Sequence, residues 1–349
     1  MNLSLLRKGV QLTAFLFLVY GGTWVGFYTA DKLSGSLPAL SCAYDTQTAD
    51  YCVLIPLQHQ MDHRVGTLIA TGGSLVAVLL PTLVTLGTFL LLFVLLNKAF
   101  CGWLCPLGFF QEVVHLLGMK LGFRRHESLP SKLVDQLRPI KWLVLLLLIF
   151  VLPLLTGLGI TDHALGSPYC SICPSRLLTS LATGDTTQFV LDRTNNGYLA
   201  LSIVGTFLFG LMIAFSLQVR QPYCRVCPML ALHAVFRKIG LARLIKQATP
   251  RCEKCGLCAN ACPMDIREIH TEMEKRNIVH ADCTLCGRCV EFCPDKDVLQ
   301  LKYARIPLFK ASPVYFKQRK KAQQNFEQRT LFGWLRSLRK SSAQSKSKT

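Results

Sequence analysis

Long apolar runs alternate with short polar stretches through the first two thirds of the chain. Four of these runs lack Asp, Glu, Lys, Arg and His, and each is near or above the ~20 residues with which a helix crosses a bilayer. The runs cover residues 11–30, 67–96, 142–160 and 198–219. The pattern predicts an α-helical membrane domain in residues 1–228, built as a four-transmembrane-helix bundle. The second run is over-long and contains Gly72, Gly73 and Pro81, so a kink is expected there.

Basic residues are unevenly distributed among the connections between these runs. Seven Lys and Arg lie between the second and third runs, whereas connections 31–66 and 161–197 carry two each. Because Lys and Arg remain on the cytoplasmic side of a bacterial inner membrane, we expect a multi-pass protein with both termini in the cytoplasm. Spans without ionisable residues also argue against a cytochrome b, an ion pump or a charged-solute transporter.

A different pattern occupies residues 249–306, where eight of the sixteen cysteines form two copies of C-x2-C-x2-C-x3-C-P. This is the ligand spacing of a bacterial ferredoxin with two [4Fe–4S] clusters, in which the fourth cysteine of each copy binds the other cluster. The first cluster is assigned to Cys252, Cys255, Cys258 and Cys293. The second cluster is assigned to Cys283, Cys286, Cys289 and Cys262. We expect a C-terminal, cytoplasmic ferredoxin-like α+β domain.

Structural zinc is the alternative use of paired Cys-x2-Cys motifs. A zinc site takes four ligands and does not require a third cysteine at the same step in both copies, so the spacing favours clusters. Gly256 and Gly287 lie inside the two ligand loops. There, a residue without a side chain lets backbone amides approach the cluster sulfurs.

Two further cysteine pairs follow the second and fourth apolar runs. Their motifs are Cys101-x3-Cys105-Pro106 and Cys224-x2-Cys227-Pro228. An amphipathic segment follows each motif, at 109–121 and at 230–245, and the second is assigned to an interfacial helix at 229–248. The repetition predicts an internal duplication in which each half is a pair of spans ending in a Cys–Cys–Pro corner. A pseudo-twofold bundle would bring the two corners together beside the ferredoxin domain.

The four corner cysteines are candidates for redox or metal chemistry. A helix N-terminus lowers the pKa of a thiol at the helix start, so each pair is expected to act as a dithiol or to bind a soft metal. The four thiols together are also candidates for a further metal centre. Four reduced, inert cysteines are the remaining alternative.

The connections predicted outside the membrane hold two more cysteine pairs. Cys42 and Cys52 are expected to form a stabilising disulfide, with a reducible pair as the alternative. Cys170 and Cys173 form a third Cys-x2-Cys-Pro motif, on the opposite side of the membrane from the corners. A disulfide, a dithiol switch and half a metal site are all open for this redox candidate.

Two smaller features remain. His59 and His63 would share one face of a helix, either as ligands of a metal or of a quinol headgroup or as two interfacial histidines. The chain has a net charge of +19, and residues 307–349 read as a basic, partly disordered tail. Such a tail suits anionic lipid or nucleic acid. The upstream membrane segments favour the lipid membrane, and no nucleic-acid partner is expected.

In their order, the spans, corners and cluster motifs resemble a known family of polytopic ferredoxin-type membrane proteins. The resemblance is carried by Phe100-Cys101-Gly-Trp-Leu-Cys105-Pro106-Leu, by Tyr223-Cys224 to Cys227-Pro228 and by the double cluster run. The family is that of periplasmic nitrate reductase and methylamine systems, the NapH/MauN type. The same module is similar to the C-terminal half of NosR and to CcoG. The second corner departs from the family spacing by one residue, and the Cys170/Cys173 pair is not general.

The resemblance implies a membrane-bound iron–sulfur protein that moves electrons between the quinone pool and a partner redox protein. The partner would be a cytochrome or an iron–sulfur subunit, and the cofactors would be two [4Fe–4S] clusters, with quinol oxidised near the corners. This role is that of a quinol-dehydrogenase-like electron-transfer component. The alternative is a metal-handling or maturation factor of the CcoG type, in which the clusters reduce copper or a client thiol. A redox-sensing membrane anchor is a third hypothesis.

Overall fold

The computed structural model describes residues 3–25, 54–72, 83, 87, 90–123 and 129–328. Helices that precede the ferredoxin domain include α1 (Leu3–Val25), α2 (Ile55–His59), α3 (Pro106–Leu121), α4 (Ser131–Gly157), α5 (Pro168–Ile172), α6 (Pro174–Thr183), α7 (Asn196–Ser216) and α8 (Pro228–Val235). Helix α2 continues as a π-helical segment and a last α-helical turn, Gln60–Gly66 and Thr67–Thr71. Shorter helical turns occupy Phe100–Leu104, His163–Gly166, Thr187–Phe189 and Tyr223–Arg225.

After α8 the chain forms a three-stranded antiparallel sheet and a set of short helices. The strands, in the sheet order β1–β2–β3, are Ala242–Lys246, Leu299–Tyr303 and Ile306–Lys310. The helices are α9 (Cys252–Cys255), α10 (Leu257–Asn260), α11 (Glu268–Thr271), α12 (Arg288–Glu291) and α13 (Pro313–Gln328). The register places Leu244 of β1 opposite Leu301 of β2, and Tyr303 opposite Ile306 of β3.

The sheet corrects two predicted boundaries. The helix predicted over 230–245, within the interfacial segment 229–248, ends at Val235, and residues 242–246 form β1. Alternate side chains of this strand are buried, and a burial period of two belongs to a strand rather than to a helix. Residues 307–310, predicted as part of the tail, instead lie in β3 because they pair with β2.

Two of the four predicted spans correspond to helices long and apolar enough to cross a membrane, α4 and α7. Only 22% of the apolar window of each helix is buried inside the protein, and Leu146 and Phe207 are 62% and 64% exposed. Core helices of a soluble protein would bury such side chains, so α4 and α7 suggest a membrane protein. The first two predicted spans extend beyond the described residues. The four-helix bundle and the cytoplasmic position of the termini therefore stay predictions.

Glycines allow close approach between the helices of the membrane half. Gly118 in α3 lies against the backbone of Leu217, directly after α7, and Gly66 lies against Gly157 at the end of α4. Small residues at such crossings bring helix backbones into van der Waals contact. Gly72 has a φ of +66° and ends the helical segment in the region where a kink is predicted, whereas Gly73 and Pro81 lie outside the described residues.

Replacing Gly118 by Ala tests this packing. A methyl group at Gly118 would overlap the carbonyl of Leu217, so we expect the G118A protein to lose roughly 1–3 kcal/mol of stability. Gly210 in α7 is the matched control because no atom lies within 4 Å of a Cβ added there. Helix propensity alone predicts that G210A gains up to about 1 kcal/mol. Thermal unfolding in detergent measures both changes, and a G118A protein as stable as G210A would contradict the packing.

Candidate metal centres

One set of ferredoxin cysteines lines a single enclosed cavity. These are Cys262, Cys283, Cys286 and Cys289, all of them buried. The other walls are apolar side chains such as Leu244 and Ile266. The cavity thus brings together the four residues that the spacing assigns to the second cluster, although Cys262 is separated from the others by about twenty residues of chain.

Burial governs the chemistry of these thiols. It raises the pKa of Cys283 to about 11 and raises the pKa of Cys262 and Cys289 further, and neighbouring thiols add to the increase at all three. Thiols with such pKa values stay protonated at neutral pH. A cation that binds them must displace their protons, as metal binding to cysteine generally does. Four cysteines around one cavity are the donor set of an iron–sulfur cluster, whose irons bind thiolates.

The first set of cysteines lies nearer the surface. Cys252, Cys255 and Cys258 are half-buried, whereas Cys293 is buried. Burial, and then the charges of nearby Cys258 and Cys252, raise the pKa of Cys293 to about 11, so these sulfurs are electrostatic neighbours. Gly256 and Gly287 have φ values of +59° and +76°, the left-handed conformation that glycine adopts without strain. In the parts of the chain that the structure describes, no three His, Cys, Asp or Glu side chains already surround a site for a single metal ion.

The four corner cysteines share a second, apolar cavity between the membrane half and the ferredoxin domain. Its sulfurs are those of Cys101, Cys105, Cys173, Cys224 and Cys227. The two corners come together, as the sequence predicts. Cys173, which was expected on the opposite side of the membrane, contributes a fifth sulfur to the cavity. Hereafter we name this space the corner cavity.

The local sequence positions the corner sulfurs. Cys105 and Cys227 each precede a proline at the first position of a helix, with ψ angles of 117° and 124°. A residue before proline favours this extended backbone, and proline suits the first helical position because it has no N–H to leave unpaired. Each cysteine is therefore held at the N-terminus of its helix, where the chain turns into the cavity.

The two repeats also hold each other. Gln111 of α3 donates from Nε2 to Sγ of Cys224 at 3.6 Å, and its Oε1 accepts from the backbone N–H of Tyr223 at 3.0 Å. His233 occupies the equivalent position of α8, six residues after the last corner cysteine. Its ring is fully buried 4.5 Å from the ring of Phe93. Sequence reasoning missed both residues, although their equal spacing from the corners is a signal that could have found them.

Two expectations for the cysteine pairs are corrected. The pKa of Cys101 and of Cys224 is raised well above the ordinary value, not lowered, because both thiols are buried and lie near other corner cysteines. Cys170 and Cys173 do not lie apart from the corners: residues 168–183 fold back so that α6 packs against α1, α3 and α7. Cys42 and Cys52 lie outside the described residues.

A third histidine lies near the predicted histidine pair. The rings of His59 and His63 are 5.1 Å apart, as expected for residues on one helical face, and His163 lies 6.4 Å from His63. Asp62 is buried beside them, with Oδ2 3.6 Å from Nε2 of His63. This group lies at the C-terminal end of α4, whereas the N-terminal end of that helix contacts the ferredoxin domain.

The first corner is pressed against a cluster loop. Gly102 lies in direct contact with the backbone carbonyl of Thr284, leaving no room for a side chain. Trp103 donates from Nε1 to the carbonyl of Leu285 at 3.0 Å. Thr284 lines both the corner cavity and the second-cluster cavity, so one residue separates the two spaces.

At the second corner, Arg225 binds the turn that follows cluster cysteine Cys262. Its guanidinium donates to the carbonyls of Pro263 and Met264 at 2.9 and 3.2 Å, and it pairs with Asp265 at 2.8 Å. The arginine is only 6% exposed. Each corner is therefore fixed to the ferredoxin segment that follows or contains cluster cysteines.

Basic residues that indicate membrane orientation along the sequence lie at this junction, where Lys141 is buried and Arg138 is half-buried. Lys141 of α4 pairs with Asp282, and Arg138 bridges Asp282 at 3.2 Å and Glu268 at 2.6 Å. Arg7 of α1 is 2% exposed and donates to the carbonyl of Cys286 at 3.4 Å. Charge counting along the sequence could not separate a lipid-facing lysine from one that pairs with the ferredoxin domain.

Replacing Arg225 by Ala tests the second contact. The substitution leaves the nearly buried carboxylate of Asp265 without its cation, so we expect a loss of about 3–5 kcal/mol of stability. Arg251→Ala is the control, since Arg251 is 73% exposed in its pair with Asp295 and such pairs contribute at most about 1 kcal/mol. Unfolding midpoints in detergent give both values, and equal effects would show that the buried pair is not what holds the corner.

Comparison with known proteins is consistent with the duplicated corners and the cluster run. One family, described as a 4Fe-4S binding domain, matches the chain twice, at residues 78–124 and 201–247, and each match contains one corner. A second family, described as a 4Fe-4S dicluster domain, matches residues 244–294. No solved structure matches the chain.

Several proteins are similar over much of the chain. The putative electron transport protein YccM of Escherichia coli is 31% identical over 84% of this chain and 74% of its own length. The ferredoxin-type protein NapH of Haemophilus influenzae is 29% identical over 65% of this chain and 71% of its own. The regulatory protein NosR of Pseudomonas aeruginosa is 28% identical over 70% of this chain but only 29% of its own. With its 4Fe–4S domains and these relatives, the chain belongs to the NapH-type family of ferredoxin-like iron–sulfur proteins, which is related to NosR.

Proposed function

We propose that this protein is a membrane-bound electron-transfer protein that links the quinone pool to a partner redox protein. Its eight ferredoxin cysteines would hold two [4Fe–4S] clusters in the ligand sets given above, and the corner cavity would hold a further metal centre. The support is the pair of 4Fe–4S family matches and the similarity to an electron transport protein. The chemistry that such clusters supply is one-electron transfer.

The observation that carries the proposal is the position of Thr284. It forms a wall of both the corner cavity and the second-cluster cavity, and the backbone of Gly102 touches it. Groups bound in the two cavities would therefore be separated by the width of one residue. An electron that enters at the corners would reach the second-cluster cysteines without crossing solvent.

The two cysteine sets differ in burial, and this difference indicates which cluster would lie at the inner end of the electron route and which at the outer end. The second set is buried against the membrane half, whereas three cysteines of the first set are half-buried. Arg251, at 73% side-chain exposure, lies beside the first set. The partner redox protein would accordingly dock at the first cluster. The chain's own residues keep water away from the inner cluster and leave the outer one accessible.

A buried lysine tests whether an anionic cluster fits here. Lys98 is fully buried, and its ammonium donates to the carbonyl of Ala281. Within the described residues no acidic side chain pairs with it. Burial lowers the pKa of Lys98 to about 8, and thiolates at Cys283 and Cys101 would oppose this shift. A negatively charged group held by those cysteines would compensate the ammonium, which is what a thiolate-bound iron–sulfur cluster provides.

The corner cavity fits the start of this route. Its exposed lining is apolar, and the hydroxyls of Tyr169 and Tyr223 are polar groups at its wall. Quinol would be oxidised at the membrane face beside the corners. The maturation-factor alternative drew on Cys170 and Cys173 as a thiol pair remote from the corners. Cys173 lines the corner cavity, so it does not belong to a separate outer thiol pair.

Metal analysis and quinol reduction test the function directly. We expect anaerobically purified protein to contain at least about eight irons and eight sulfides per chain, since each cube has four of each. A water-soluble quinol should reduce the clusters, which EPR of the frozen sample would detect. Iron-free protein would contradict the cluster assignment, and clusters that stay oxidised with excess quinol would contradict the quinone link.

Replacing Gly102 by Ala tests the route through Thr284. The methyl group must push the first corner away from the carbonyl of Thr284, at a cost of roughly 1–3 kcal/mol. We expect the iron content to stay that of the wild type while quinol-dependent cluster reduction slows, measured by stopped-flow absorbance. Gly9→Ala is the control because a Cβ at Gly9 meets no atom within 4 Å. Equal rates in the two variants would exclude this contact from the route.

A further inference from the structure

A third helix begins in the same way as the two helices at the corners. Cys173 precedes Pro174 at the start of α6, with φ and ψ of −72° and 122°, close to the values of −68° and 124° at Cys227. The helix is ten residues long and packs against α3 and α7. Residues 168–183 lie outside both matches of the corner family, so neither repeat accounts for this motif.

Cys173 is part of the corner cavity and is linked to the second corner. Its Sγ lies 3.9 Å from Oη of Tyr169, and the same hydroxyl lies 3.9 Å from Sγ of Cys227. Tyr169 is 3% exposed, and its hydroxyl is 2.9 Å from that of Tyr223. The two sulfurs therefore face one buried hydroxyl pair from two helix starts, and the cavity has five sulfurs in its walls.

The other cysteine of this motif is placed differently. Cys170 is not among the residues that line the cavity, and its Sγ accepts a hydrogen bond from Nε2 of Gln58 at 3.1 Å. Gln58 is fully buried. The two cysteines of one short segment thus have separate environments, although sequence spacing treats them as a pair.

We infer that Cys173 is a cysteine ligand of the metal centre in the corner cavity, an iron–sulfur cluster whose ligands come from three Cys–Pro helix starts. The inference rests on the proposed function only in taking this cavity to hold a centre. Three helix N-termini present positive charge to the cavity, which suits an anionic cluster. Because a four-iron cube binds four cysteines, one of the five sulfurs is not a ligand, and the inference places Cys173 among the four.

Iron analysis of two matched variants tests this assignment. In full-length, anaerobically purified protein we expect about twelve irons per chain, from three four-iron clusters. Cys173→Ala should reduce the count to about eight and remove one EPR signal, because the corner centre loses a ligand. Cys170→Ala changes the same segment outside the cavity and should keep about twelve irons and all signals.

Cys173→Ser covers the case in which the alanine variant does not fold. A serine oxygen can replace a cysteine sulfur on iron, so the C173S protein should show a shifted EPR signal or midpoint potential for one cluster, and C170S should not. Wild-type protein with only about eight irons would refute the corner centre itself, and with it this inference. About twelve irons in the wild type, with C173A and C173S indistinguishable from it, would refute the role of Cys173 and leave the corner centre standing.

Discussion

The close contact between the first corner and a cluster loop is the constraint on which the arrangement depends. Gly102 can touch the carbonyl of Thr284 only because it has no side chain. That contact brings two sulfur-lined cavities to opposite sides of one residue. Trp103 and Arg225 add hydrogen bonds to neighbouring carbonyls, so the ferredoxin domain is fixed against the helices rather than tethered by a linker. A fixed junction is what electron transfer between buried centres needs, because its rate falls steeply with distance.

Buried charge at this junction stabilises the fold and would also compensate the charge of metal centres held in the two cavities. Lys141 and Arg138 pair with Asp282, and their desolvation is offset by that carboxylate. Lys98 has a carbonyl as its hydrogen-bond partner beside Cys101 and Cys283, so the cysteines themselves, once bound to metal, would complete its environment. If the ferredoxin side is cytoplasmic, the same cations also follow the positive-inside rule. Counting them along the chain therefore does not reveal that they pair with groups of the ferredoxin domain.

The duplication explains why the corners resemble each other and where they differ. Gln111 and His233 occupy equivalent positions, yet one binds a corner cysteine and the other lies between aromatic rings. A twofold ancestor would supply two equal contacts across its axis. Segment 168–183 interrupts this symmetry by adding α6 and Cys173 on one side of the cavity, next to the second corner.

Features that depend only on neighbouring residues along the chain can be read from the sequence alone. The C-x2-C-x2-C-x3-C-P spacing, the proline after each corner and the apolar runs of α4 and α7 are all local, and local patterns identify ligand loops, helix starts and spans. The tertiary structure decided which distant groups share a space: Cys173 with the corners, Thr284 between two cavities, and residues 242–246 as a strand beside 299–303. The number of Lys and Arg residues assigns a connection to one side of a membrane, but it does not show whether their side chains are buried in the fold. Depth is set by packing between helices. The amphipathic pattern of α6 indicates that one of its faces is buried, but not which helices that face contacts.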